Sequence, residues 1–151
     1  MKKLNLFIGL LIGFMILSCS SDDDNSNSNN LIGTWKPIKE VDICSTGSEQ
    51  VSEYSECRQT GRLTFSSNES MTVTVYEVDL GVCEQIYNAN GTWTLNGDDL
   101  TITIAGETDS PTFFELTNNT LRIGYYDSDP NDPCDGENLP SHYYTEYIRI
   151  Q

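Results

Sequence analysis

From Leu31 onward the chain alternates apolar and polar residues in short runs. Nowhere does it hold apolar residues at helical spacing over a long stretch. A two-residue period sends successive side chains to opposite faces of an extended backbone. The clearest case is Asp99–Ala105, where Leu100, Ile102 and Ile104 share one face and threonines take the other. It follows Asn96-Gly97-Asp98, a tight-turn signal, because Asn-Gly tolerates the positive φ angles a hairpin needs. Eight such runs can be delimited: Leu31–Ile43, Gly61–Ser66, Met71–Asp79, Tyr87–Leu95, Asp99–Ala105, Pro111–Thr117, Leu121–Tyr126 and His142–Ile150. One apolar and one wet face per strand, with hairpin-length connections, predicts an all-β domain over 31–151. The expected form is an eight-stranded antiparallel up-and-down barrel. In such a barrel the first strand pairs with both the second and the last, because closure is what removes exposed edges.

The start of the chain is of another kind. Lys2 and Lys3 precede the apolar run Leu4–Leu17. That run is too short for a helix that must cross ~30 Å of hydrocarbon with ~20 residues. It ends in Ile16-Leu17-Ser18-Cys19, which resembles the lipobox of bacterial lipoproteins. The resemblance implies a signal peptide over 1–18, cleavage before Cys19, and lipidation of Cys19 with acyl chains including palmitate. An ordinary cleaved signal is the alternative. No apolar residue appears between Cys19 and Leu31, so residues 19–30 are expected to form a flexible acidic and Asn/Ser linker. Asp22-Asp23-Asp24 resembles the short acidic signal that sends some Gram-negative lipoproteins to the outer face of the outer membrane; a solvated spacer reads the same residues equally well. The expected location is therefore the cell envelope, lipid-anchored at the outer membrane, with cell-surface exposure left open.

Charge narrows the partners. The formal net charge is −15, and Lys2 and Lys3 are two of only 8 basic residues, so the chain without them is more acidic still. Such a surface argues against nucleic acid and against electrostatic docking on anionic lipid. Contact with a membrane is expected through the anchor alone, and the domain is expected to be a monomer.

Two blocks carry a family resemblance. Gly33-Thr34-Trp35 is similar to the G-x-W that opens the first strand of lipocalins. Gly91-Thr92-Trp93-Thr94-Leu95-Asn96-Gly97-Asp98-Asp99-Leu100-Thr101-Ile102 resembles the core pattern of small bacterial lipocalin-like lipoproteins. The resemblance implies a lipocalin-like barrel that binds a small, apolar molecule at its mouth without catalysis. Whether the interior is hollow or filled stays open. A filled core would suit a surface module that contacts protein or glycan.

Cys44, Cys57, Cys83 and Cys134 remain beside Cys19, an even number in an exported chain, and four cysteines allow three pairings. Cys57 precedes the second strand and Cys83 follows the third, so a hairpin brings them together. If the first and last strands are neighbours, Cys44 and Cys134 meet at the same rim. The expected bridges are Cys57–Cys83 and Cys44–Cys134.

Candidate site residues follow from the barrel. Trp35 and Trp93 are expected to plug its closed end. On the last strand His142, Tyr144, Glu146, Ile148 and Ile150 share a face that turns from polar to apolar, which puts the mouth at His142. If Trp35 points inward, strict alternation sends Lys39 inward beside Tyr144 and Glu146, and a Lys39–Glu146 pair would give an apolar pocket polar specificity. Pro37, which cannot donate to a ladder, can instead mark a bulge that turns Lys39 outward; this is the reading the proline favours. Tyr125 joins the tyrosines of the last two strands, as ligand contacts or as ordinary strand residues. Asp127, Asp129 and Asn131 alternate as calcium ligands do and resemble the first half of an EF-hand loop. Asp132 stands where that loop needs glycine and Asn138 where it needs glutamate, so a solvated loop stiffened by Pro130 and Pro133 is the simpler reading. No cofactor is expected. A single histidine and the absence of a nucleophile motif give catalysis no support.

Overall fold

The computed structural model describes residues 24–127 and 140–151. One helix, α1 (Asp24–Leu31), leads into ten strands: β1 (Gly33–Ile43), β2 (Glu49–Glu53), β3 (Arg62–Phe65), β4 (Ser70–Asp79), β5 (Val82–Asn96), β6 (Asp99–Ile104), β7 (Glu107–Asp109), β8 (Phe113–Leu116), β9 (Thr120–Tyr126) and β10 (His142–Arg149). A 3-10 turn, Arg58–Thr60, stands between β2 and β3.

The order is β7-β6-β5-β4-β3-β1-β10-β9-β8, antiparallel throughout, with β2 on β1. The first strand does pair with the last: Trp35 faces Arg149 and Ile43 faces His142. The expected seal of the cylinder is not formed, however. β7 and β8 are the two ends of the order, and the sheet is not closed between them by a ladder. It nonetheless wraps around one core. Ile102 and Ile104 of β6 and Phe114 and Leu116 of β8 pack against the same buried cluster of Leu31, Trp35, Leu63, Phe65, Met71, Trp93, Leu95, Leu100 and Leu121. One side-chain contact reaches across the gap where the ladder stops: the Tyr125 hydroxyl of β9 donates to the Asp109 carboxylate of β7.

Two strands escaped the alternation pattern, and both are fully exposed. In β2, Glu49-Gln50-Val51-Ser52-Glu53 has no buried face, and β7 is Glu107-Thr108-Asp109. Neither has an apolar set to betray it. The chain before β1 also differs from the expected free spacer. α1 ends in Leu31, which is completely buried and whose carbonyl accepts from Trp35 Nε1 at 2.9 Å. The helix is anchored by the residue assigned from the sequence to the start of a strand.

A single irregularity sets which side chains face inward. The β1–β10 register slips between Pro37 and Lys39. Before the slip Trp35 and Pro37 share a face with Arg149 and Tyr147; after it, Lys39, Val41 and Ile43 lie opposite Glu146, Tyr144 and His142. An extra residue in one strand inverts the facing of everything beyond it. The upper half of β1 therefore turns its apolar residues away from the main core. There Val41, Phe113 and Tyr144 form a second small cluster, with Ile43 packed against it.

Candidate functional site

On β10 the side toward the main core is thus Thr145, Tyr147 and Arg149, with Tyr143 exposed beyond them; Tyr144 and Glu146, read from the sequence as inward, are buried on the other side. Its neighbours on that face are Leu121, Ile123 and Tyr125 of β9. Beneath Tyr147 lies a cavity of about 330 Å³, walled by Leu63, Met71, Val73, Ile102, Ile104 and Ile123, with Tyr87, Glu107 and Asp109 at its opening. A second cavity of about 110 Å³ shares Leu63, Val73 and Tyr147 with the first and adds Tyr54, Arg58, Arg62 and Thr145. The larger space has aliphatic walls and an acidic rim, and the smaller one carries the two arginines.

The polar groups are held by a segment that crosses this end of the sheet. Tyr54 N bonds to Ile38 O at 2.9 Å, and the Tyr54 hydroxyl lies 3.2 Å from Thr145 Oγ1 and 3.4 Å from Glu40 Oε2. The Arg58 guanidinium lies 3.9 Å above the Tyr54 ring and pairs with Glu77 at 3.5 Å. Arg62 Nη1 donates to Gln59 O at 2.9 Å and Gly61 O at 2.6 Å. Among the described residues no carboxylate pairs with Arg62. The Cys57–Cys83 disulfide, Cα–Cα 5.5 Å, fixes the start of this segment to β5. Burial pushes the Tyr147 hydroxyl up to about 12 and raises Tyr54 as well, so both remain neutral donors at ordinary pH.

The far end is filled. Trp35 is fully buried and Trp93 nearly so; Trp93 Nε1 donates to Ser66 O and Ser70 O, both at 3.2 Å, which pins it to the β3–β4 turn. The Phe65 and Trp93 rings meet edge to face at 5.5 Å, and the Arg149 guanidinium lies 4.2 Å above Trp35. Both tryptophans belong to the main buried cluster.

The residues expected to line the mouth are elsewhere. Lys39 and Glu146 do pair, at 3.5 Å, but on the opposite face of the sheet from the cavity. Glu146 also accepts from Arg122 Nε at 2.8 Å, and Arg122 bridges on to Glu115 at 2.9 Å. Burial disfavours the charge on Arg122, but its hydrogen bonds to Glu146 and Glu115 outweigh that, and the net shift is upward. His142 stacks on Phe113 at 4.6 Å, and Tyr144 on Phe113 at 5.1 Å. These are contacts of the second cluster. Tyr125 faces inward, but it is spent on Asp109 at the open edge, where burial and that carboxylate raise its pKa. Of the candidate calcium ligands, Asp127 lies just past β9, while Asp129 and Asn131 fall outside the described residues. Among the described residues no three acidic, histidine or cysteine side chains gather to hold a metal. Cys44 is disulfide-bonded; Cys134, its expected partner, and Cys19 lie outside the described residues.

Nothing in the alternation pattern singles out Tyr54 and Arg58, which lie between the expected strands, or Arg62 at the start of β3. One signal was available. In a chain this poor in cations, two arginines four residues apart beside a cysteine stand out.

Among known proteins, a family model described as a lipocalin-like domain matches residues 31–123. That span runs from the buried end of α1 to Ile123 and takes in most of the cavity wall. No curated protein matches the chain.

Proposed function

This chain belongs to the lipocalin-like domain family, and we propose that it binds a small, largely apolar molecule in the cavity beneath Tyr147, without catalysis, while tethered to the cell envelope through a lipidated Cys19. The observation that carries this reading is the pairing of a plugged end with a hollow one. Trp35 and Trp93 fill one end, while about 330 Å³ walled by aliphatic side chains remains at the other. Cavities of ~300–1,000 Å³ with apolar walls and a few convergent polar groups are the usual form of small-molecule sites. The one histidine stacks on Phe113, across the sheet from the cavity, which favours binding over acid–base chemistry. The anchor rests on the Ile16–Cys19 motif. Among the described residues no helix is long and apolar enough to cross a membrane.

The test is to expose the purified protein to a mixed lipid extract and weigh it intact by native mass spectrometry. A retained small molecule is expected, and Ile104→Trp, which fills the cavity, is expected to abolish it. No retained mass, or retention untouched by Ile104→Trp, would overturn the reading. The anchor is tested separately by the intact mass of the membrane-extracted protein, which must show acyl groups on an N-terminal Cys19.

A second reading has its own observation. The β4–β5 hairpin exposes Val78, Leu80, Val82 and Ile86, and Leu80 is 97% exposed. That tip suits contact with another macromolecule, and a protein-interaction module remains the alternative it supports.

A further inference from the structure

The two cavities that meet at Tyr147 differ in chemistry, and the difference has a direction. The larger is walled by aliphatic side chains and has Glu107 and Asp109 at its opening. The smaller holds Arg58 and Arg62 together with the hydroxyls of Tyr54 and Thr145. The chain carries 23 acidic and 8 basic residues, so two guanidiniums lining one cavity run against its composition. Arg62 is oriented by the carbonyls of Gln59 and Gly61, and no described carboxylate pairs with it. The Arg58 side chain is 40% exposed, and its pair with Glu77 is at 3.5 Å. A surface pair of that kind is weak enough to be exchanged for a ligand anion.

Resting on the proposed apolar site, we infer that its ligand is an amphiphile with a single anionic head group, carboxylate or phosphate, held by Arg58 and Arg62 while its tail lies along Leu63 and Val73 into the larger cavity. Guanidiniums match planar carboxylates and phosphates through two parallel N–H donors. The hydroxyls of Tyr54 and Thr145 line the same cavity, and the Tyr54 hydroxyl donates to Glu40 at 3.4 Å, a long contact that an anionic head group would replace. Orientation follows from charge: the head is repelled from the Glu107–Asp109 opening and drawn to the arginines. The surrounding negative field also selects against head groups that cannot reach both guanidiniums.

Calorimetric titration of the purified protein with decanoate, decyl phosphate and decanol separates the possibilities. Decanoate or decyl phosphate is expected to bind about tenfold to a hundredfold more tightly than decanol, the range for a charged hydrogen-bonded contact. The better of the two anions identifies the head. Arg62→Ala is expected to remove most of that preference. Because Arg62 also ties down the 3-10 turn, Arg58→Gln is the second variant, expected to weaken the anion severalfold with the fold intact. Equal affinity for decanol and both anions would overturn the anionic head and leave the apolar site standing. An anion preference that survives both substitutions would overturn the assignment to these arginines. Failure of all three ligands to bind would overturn the site itself.

Discussion

Leu80 shows what a single residue costs at a turn. Asp79 pairs with Val82, so Leu80-Gly81 is a two-residue hairpin loop, and Leu80 adopts φ +48. A branched aliphatic side chain in the left-handed region costs ~1–2 kcal/mol, and asparagine is far better tolerated there. Leu80→Asn is expected to stabilise the protein by about 1 kcal/mol, read as a rise in the urea midpoint; no change or a loss would mean that the tip is held by contacts of Leu80. Tyr147 makes the second residue-scale prediction. Its hydroxyl is pushed up to about 12 from an ordinary value of 10, chiefly by burial. The folded state therefore holds this proton more tightly than the unfolded state. Stability is fully present below pH 10 and declines as pH rises from 10 toward 12. Tyr147→Phe is expected to flatten that decline, measured by denaturant titration across the window. An unchanged slope would mean that Tyr147 is not the buried phenol described. At this scale the sequence was legible where volume decided the outcome. Trp35 and Trp93 could only be core. It was illegible on β10, where His142, Tyr144 and Glu146 alternate with Tyr143, Thr145 and Tyr147. Both sets mix aromatic and polar residues, so hydropathy could not say which faced in.

At the scale of elements the decisive feature is the bulge between Pro37 and Lys39. Proline at that position signalled it, but its consequence reached further than Lys39. It put Val41 and Ile43 on the side of His142, Tyr144 and Glu146, away from the main core and into the second cluster. The Lys39–Glu146 pair therefore exists and takes no part in the cavity. The strands with buried alternating faces were recoverable to within a few residues: β3, β4, β6 and β9 all lie inside or close to their expected runs. β2 and β7 were not, because an exposed strand needs only a neighbour to pair with and leaves no apolar trace. The segment Tyr54–Thr60 belongs to the same class. It carries Arg58, leads into Arg62 at the start of β3, and is placed by tertiary contacts and by one disulfide. Cys57 and Cys83 are 26 residues apart. Closing a loop of that size in the unfolded chain is worth about 3 kcal/mol. The double variant Cys57→Ala, Cys83→Ala is expected to lose that amount in chemical denaturation. It should also weaken binding of the proposed anionic ligand, since Arg58 then loses its tether to β5. A loss of stability with ligand affinity intact would show that the disulfide braces the fold alone.

Across the whole molecule the account reduces to which side of one long sheet is the inside. The sheet wraps around its main core without closing into a continuous ladder, and the Tyr125–Asp109 hydrogen bond reaches across the open seam. The all-β class was legible in the sequence through burial periodicity, and the pairing of first strand with last was expected from barrel closure and is present although the barrel is not closed. The open seam was not, because it depends on where β7 stops. The test that goes most directly to the inside is a methyl NMR titration of the protein with decanol, a neutral probe that is independent of any head-group preference. The structure predicts shifts concentrated on Leu63, Val73, Ile102, Ile104 and Ile123, with Val41 and Ile43 unmoved. Shifts on Val41 and Ile43 instead, or none anywhere, would contradict it.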